Sequence, residues 1–334
     1  GLVDVPPSYN LAGKAYADPN NPFSQRYYRA GQNNPYWAAE NNFRENKTNR
    51  TFGNLSFKYD ITDAISATYR IGVDYFNTSR VDFRELGTAP RGRTDPPSGG
   101  SVAFDNTSQN QINSNLFLTF DKDISEDINL NVIIGNEFYD IRTNNNASRG
   151  ADFVTGNWVS LANATNISGS NSEFKQRTVG FYGNLILGWK NMLFLNASGR
   201  NDIVSNMPPQ NRSFFYPSVG LGVVFTEFLS IPENVLTFGK FRASVAEVGQ
   251  AGPIYSTATL FTPGAATGGF TFPYDGMNAF TQSDALNSSD LEPENTRTFE
   301  IGMDLRFLND RVGVDYTYYD SKADGQIYRK GEAG

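Results

Sequence analysis

Seven charged side chains stand where a strand would turn them away from its apolar neighbours: Arg70 and Asp74, Arg200, Arg242, and the set Glu300, Asp304 and Arg306. On one face of a β-sheet such residues bind charged cargo, pair with a domain lodged against the sheet, or pair with each other; Asp304 and Arg306 face Asp315 across a hairpin. Neither sign dominates, so a solvated polar wall accounts for them as well as a selective surface does. Aromatics form a second set. Tyr27, Tyr28, Tyr36 and Trp37 lie in a polar stretch, and Tyr255, Phe270 and Tyr274 in another. Their flat faces suit stacking on sugar rings or peptide side chains, or contact with a partner protein, since interfaces are rich in Tyr, Trp and Phe. They also suit a small apolar core that orders each loop. Asp284, Asp290, Glu292 and Glu294 offer oxygen ligands for calcium, although no spacing matches an EF-hand loop. No other cofactor is expected. The chain has neither Cys nor His, which removes the commonest metal ligands, the disulfide and the commonest general base. No carboxylate pair is positioned for glycoside hydrolysis, so no catalytic residue is assigned. Net charge is -7 and basic residues do not cluster, which argues against nucleic acid as a partner.

The elements that must hold these residues alternate one by one. From Thr298 to Phe307, the residues Phe299, Ile301, Met303, Leu305 and Phe307 share one face, while Glu300, Asp304 and Arg306 share the other. That is the period of two of a half-buried strand. After the break at Leu308–Arg311 the pattern resumes in Val312, Val314, Tyr316 and Tyr318. The first such strand, Arg50 to Ile61, turns Leu55, Phe57, Tyr59 and Ile61 one way. Its partner, Ile65 to Phe76, does the same with Tyr69, Ile71, Val73 and Tyr75. Further pairs are expected at 111–121 with 128–139, 177–189 with 192–200, and 215–226 with 237–246, which makes about ten strands. Short turns join the members of each pair, as at Lys190-Asn191. Long polar stretches, about 77–106, 142–175 and 247–295, join one pair to the next.

Tight turns at one rim and long loops at the other are the pattern of an outer-membrane β-barrel, with the long loops extracellular. No run approaches eighteen apolar residues, which excludes a transmembrane helix. A barrel strand needs only about ten residues and shows every second one to lipid, so modest hydropathy is compatible with a membrane. An antiparallel transmembrane β-barrel wall over 48–334, preceded by an irregular extracellular region over 1–47, is therefore the expected architecture. A soluble β-sandwich also alternates, but without the odd-even difference in loop length.

Several strings carry a family resemblance. The block Leu291-Glu292-Pro293-Glu294-Asn295-Thr296, followed by Phe299 to Phe307 and then Val314 to Asp320, resembles the barrel of SusC/RagA-type TonB-dependent transporters of Bacteroidetes. Asn34-Pro35-Tyr36-Trp37-Ala38, Arg200-Asn201-Asp202 leading to Phe215-Tyr216-Pro217-Ser218, and Phe241-Arg242-Ala243-Ser244 agree with it in the same order. The resemblance implies a barrel of 22 strands, of which ten are read here. It also implies an amino-terminal β-sandwich, a TonB box and a plug, none of which can be placed in this sequence, so the chain is expected to be the middle of a longer transporter. It implies TonB-driven import of oligosaccharides or oligopeptides, a SusD-like surface lipoprotein as lid, contact with the TonB complex through the plug region, and a dimer of transporter–lipoprotein pairs. The alternative is a passive porin or surface adhesin built on the same wall. An outer-membrane enzyme ranks third.

Overall fold

The computed structural model describes residues 10–11, 13, 15–26, 32–89, 99–229, 231–232, 234–259, 261–263, 266–267, 270–271, 274–282 and 287–328. In chain order, β1 (Ala17–Asp18), β2 (Asn21–Gln25) and the short helix α1 (Pro35–Asn41) precede β3 (Phe43–Asp60), β4 (Ile65–Arg84), β5 (Ser101–Ser125), β6 (Ile128–Phe153), β7 (Ala164–Trp189), β8 (Leu193–Val204), β9 (Ser213–Val224) and β10 (Leu236–Gln250). The ladders β11 (Phe261–Pro263), β12 (Ala266–Thr267), β13 (Phe270–Thr271) and β14 (Phe280–Gln282) follow, and then β15 (Glu294–Phe307) and β16 (Val312–Asp324). Ten of these form one sheet in the order β16-β15-β10-β9-β8-β7-β6-β5-β4-β3, so every strand lies beside its neighbour in sequence once β11–β14 are set aside. β3 and β16 are the edges of that sheet. No helix among the described residues is long and apolar enough to cross a membrane, which has no bearing on crossing by strands.

The tight turns form for local reasons. At the β7–β8 hairpin Lys190 and Asn191 have φ of 52 and 55°, and the Met192 amide donates to Trp189 O at 2.9 Å. Two consecutive positive φ angles make the mirror-image turn whose twist matches the flanking strands. The chain falls into two compact units. The first comprises Gly1–Gly53, Val73–Gln111 and Ile141–Lys175, and the second Asn54–Gly72, Ile112–Asp140 and Gln176–Gly334.

Strand bounds differ from the sequence expectation. β4 continues through 77–84, β5 begins at Ser101, β6 reaches Phe153 and β7 starts at Ala164, so the expected loops 77–106 and 142–175 shrink to 85–100 and 154–163. β3 likewise begins at Phe43, and α1 and two short strands lie within the expected loop region 1–47. The expected loop 247–295 narrows to 251–293, with the small ladders inside it. The physical cause is composition. These strand extensions are rich in Asn, Ser and Thr on both faces, and a backbone ladder needs no apolar side chain to form, so no period of two marks them. At 25 residues for β5 and 26 each for β6 and β7, the strands are more than twice the ten or so that hydrocarbon requires.

The first unit has its own core. Phe83, Val102 and Phe153 are buried together, with Val81, Leu86, Phe104 and Leu161 packed against them. The Phe83 ring stacks on Phe153 at 5.7 Å and on Phe43 at 5.4 Å. Polar side chains pin the chain around it. The Asn42 carboxamide oxygen accepts from the Glu85 amide (2.9 Å) and the Thr88 hydroxyl (3.0 Å), and the Glu85 carboxylate, itself almost wholly buried, accepts from the amides of Leu86 (2.7 Å) and Asn157 (2.9 Å). Buried Asn163 closes 154–163 by donating to Thr155 O and Trp158 O and accepting from the Thr155 amide. Gly87 has φ +85°, and a Cβ there would stand 1.8 Å from Phe23 O, so only glycine fits this close approach.

Candidate functional site

Register fixes which residues share a face in the second unit. Met303 opposes Tyr316 and Phe241, and Phe241 opposes Val223. Ile301 opposes Tyr318 and Ala243, Ala243 opposes Leu221, and Leu221 opposes Leu195. Directly opposed residues of antiparallel strands point the same way, so these rows make a broad apolar face. Much of it is exposed: Leu221, Val245, Phe299, Val314 and Tyr316 are each 44–61% accessible. The rows between them are polar. Thr317 opposes Gly302, Gly302 opposes Arg242, and Glu300 opposes both Tyr319 and Ser244. Arg200, Arg242, Glu300, Asp304 and Arg306 thus all lie on the face opposite the apolar rows.

Arg242 organises one cluster. Its Nη2 donates to Asp315 Oδ1 at 2.8 Å and to the Thr317 hydroxyl at 2.6 Å, and its Nε lies 4.0 Å from Glu300. Gly302 leaves room for the guanidinium, since a Cβ there would sit 2.5 Å from Arg242 Nε. Asp315 therefore pairs with Arg242 across two strands, and not with Arg306 as the hairpin suggested. Arg306 stands 4.0 Å from Asp304 and covers the Phe238 ring at 5.2 Å.

A second cluster surrounds Arg200, whose Nη1 meets Glu137 at 2.7 Å and whose Nε donates to Asp202 at 2.8 Å. The Tyr216 hydroxyl donates to Asp202, and the Tyr182 hydroxyl donates to Asn115 at 3.0 Å. Gly135 and Gly180 leave space for Tyr182 and Arg200 respectively. Glu137, Asp202, Tyr182 and Tyr216 were missed as site residues. Alternation was the available signal, since Asp202 stands two residues from Arg200 on the same strand face. Arg70 covers the Phe117 ring at 5.2 Å.

In the first unit Asp74 is held by Arg50, with Nε at 2.9 Å. Nearby on the same strands, Asp82 serves three guanidinium groups. Arg44 donates to it, Arg80 Nη2 lies at 3.3 Å and Arg84 Nε at 3.9 Å. Partial burial pushes the Asp82 carboxyl up, but hydrogen bonds from Arg44 and Arg80 and the neighbouring positive charge outweigh it and hold the group below the usual carboxylate range. Beside it is a groove of about 650 Å³ whose wall includes Thr48, Thr78, Arg80, Thr107, Asn145 and Arg149.

The aromatic candidates separate. Trp37 is wholly buried, and its Nε1 donates to Pro22 O at 2.9 Å, so it packs the segment and is not available to touch cargo or partner. The helix carrying it starts where the chain says it should, with Asn34 accepting from the Tyr36 amide and Pro35 in the first turn. Tyr36 is 44% exposed, with its ring 6.4 Å from Tyr16. Tyr255 and Tyr274 are about half exposed, and Phe270 belongs to β13. Tyr27 and Tyr28 lie outside the described residues, as does Asp284. Of the other proposed calcium ligands, Asp290 accepts from Gln210 and Asn211, and Glu294 accepts from the Ile327 amide at 2.6 Å. Among the described residues no three metal-ligating side chains converge.

An all-antiparallel sheet with one apolar exposed face, one polar face and strands longer than a bilayer is the wall of a membrane β-barrel. The chain belongs to the TonB dependent receptor-like, beta-barrel family, whose model matches residues 4–334, a family of outer-membrane barrels. Among solved structures it is similar to the RagAB peptide transporter, with a TM-score of 0.77 and 18% identity over 90% of this chain and 33% of that one. The RagAB peptide importer in its open-open state gives 0.74 and 18% over 89% and 32%. The chain thus spans about a third of the length of these structures. They agree in fold with the SusC/RagA-type resemblance. No curated protein matches the chain.

Proposed function

We propose that these strands form part of the barrel wall of a TonB-dependent importer for oligopeptides, working with a SusD-like surface lipoprotein as its lid. The observation that carries this reading is the ten-stranded sheet itself, which follows the RagAB peptide transporter over 90% of the chain. The polar face supports it. Its charges are paired with mixed signs around Arg200 and Arg242, which suits a wall lining a water-filled interior. The exposed apolar rows are the surface offered to lipid. The long connection 251–293, with Tyr255, Tyr274 and Phe280 exposed, is the surface offered to the lid.

The test is uptake in the bacterium that makes the protein, comparing the parent strain with a deletion of the whole gene. Labelled oligopeptides should enter the parent and not the deletion, and a surface lipoprotein should co-purify with the tagged full-length protein. Uptake of oligosaccharides alone would replace the cargo. Uptake that persists without TonB would favour a passive porin.

A further inference from the structure

We propose that the groove in the first unit is a subsite for the carboxylate of an anionic oligopeptide, an inference that rests on the peptide-import reading. Its rim is built from rows of neutral side chains contributed by successive strands. The Thr48 and Thr78 hydroxyls meet at 2.9 Å, Thr107 donates to Asn145 at 3.0 Å, and Asn145 Nδ2 reaches the Ser172 hydroxyl at 3.4 Å. Hydroxyls and carboxamides both donate and accept, as a peptide main chain does. No aromatic side chain is among the groove's described lining residues, so the flat partner that suits a sugar ring is missing there. The volume, about 650 Å³, lies within the range usual for ligand clefts.

Charge selects the cargo. Arg80 and Arg149 stand in the groove wall with Asp105, and Arg149 reaches Asp105 at 3.4 Å. Arg80 shares Asp82 with Arg44 and Arg84, which do not themselves line the groove, so among the described residues three cations have one carboxylate between them. This is a local positive surplus in a chain of net charge -7. The Arg80 and Arg149 side chains are 37% and 61% exposed, so both guanidinium groups can be reached from the groove. A carboxylate pairs with such a group through charge-assisted hydrogen bonds. These positions have the same strand parity as the inward set, being even on β3 and β4 and odd on β5 and β6.

The experiment measures equilibrium binding of a glutamate-rich tetrapeptide and its glutamine counterpart to the full-length importer with its lipoprotein. Each peptide is used as free acid and as C-terminal amide. The glutamate peptide should bind about tenfold more tightly, the size expected of one charge-assisted hydrogen bond. The double variant Arg80→Gln, Arg149→Gln should erase that preference and leave the glutamine peptide unaffected, and Arg80→Lys should retain part of it. Should the double variant fail to accumulate, Arg149→Gln alone, at an exposed position, reads out the same preference. The preference should survive amidation, because both free acids carry the same terminal carboxylate, and a preference that vanishes on amidation overturns recognition of the side-chain carboxylates. Equal binding of the two peptides, or a preference untouched by the variants, overturns the subsite while leaving peptide import standing. Binding of a neutral oligosaccharide with no peptide bound overturns the import reading as well.

Discussion

The connections of the first unit and the connection 251–293 of the second solve the same problem in opposite ways. Around Phe83 and Phe153 the chain is pinned by polar side chains, with Asn42 and buried Glu85 satisfying backbone groups far along the sequence and buried Asn163 closing its own loop through Thr155 and Trp158. In 251–293 the ladders are two or three residues long, and Tyr255, Phe261, Tyr274 and Phe280 are exposed. Buried, fully bonded polar groups specify one arrangement, because every alternative leaves a donor or acceptor unpaired. Exposed aromatics on a lightly laddered connection specify their arrangement less tightly. One region is held by buried polar groups, and the other is the surface that the proposed function offers to a partner.

The strongest way to break that contrast is Trp37→Ala. Its ring is wholly buried and its indole N–H bonded, so its loss should cost the first unit about 3–5 kcal/mol. Faster proteolysis within 10–42 of the variant in membranes would show it, and an unchanged cleavage pattern would remove the distinction. A smaller effect is expected on acidification. Because the folded carboxyl of Asp82 is held low, its contribution is complete above the ordinary carboxylate range. It declines as pH falls through that range and is gone below the lowered value. Hydrogen exchange of β4 near Asp82 should therefore speed up at low pH, and Asp82→Asn should flatten that response. The smallest effect belongs to Tyr274→Ala, about 0.5 kcal/mol or less, as for other exposed positions. It should leave proteolysis of the barrel unchanged while weakening capture of the lipoprotein, and destabilisation comparable to Trp37→Ala would reverse the assignment of roles.

Much of this wall was legible from alternation. The face shared by Phe299, Ile301 and Met303 and the turn at Lys190-Asn191 appear where the residues place them. The strand extensions were not legible, because 142–153 and 164–175 carry polar residues on both faces and a solvated ladder leaves no period. Nor was the role of Glu85 or Asn163, since a polar residue in a loop reads the same whether it faces water or closes a turn from within. Asn34-Pro35 before Trp37 was a helix-start signal passed over in favour of the aromatic itself. The partners of Arg200 come from β6, β8 and β9, and only register brings Glu137 to it.

The two edges of the sheet carry a further consequence. β3 and β16 each end the hydrogen-bonded series, so the outer row of amides and carbonyls of each has no neighbour within the sheet. In hydrocarbon every such group is costly, and water is not there to replace the missing partner. A strand laid along either margin would therefore gain a ladder of backbone hydrogen bonds that it can find nowhere else in hydrocarbon, so each margin is a surface that favours pairing as strongly as the apolar rows favour lipid.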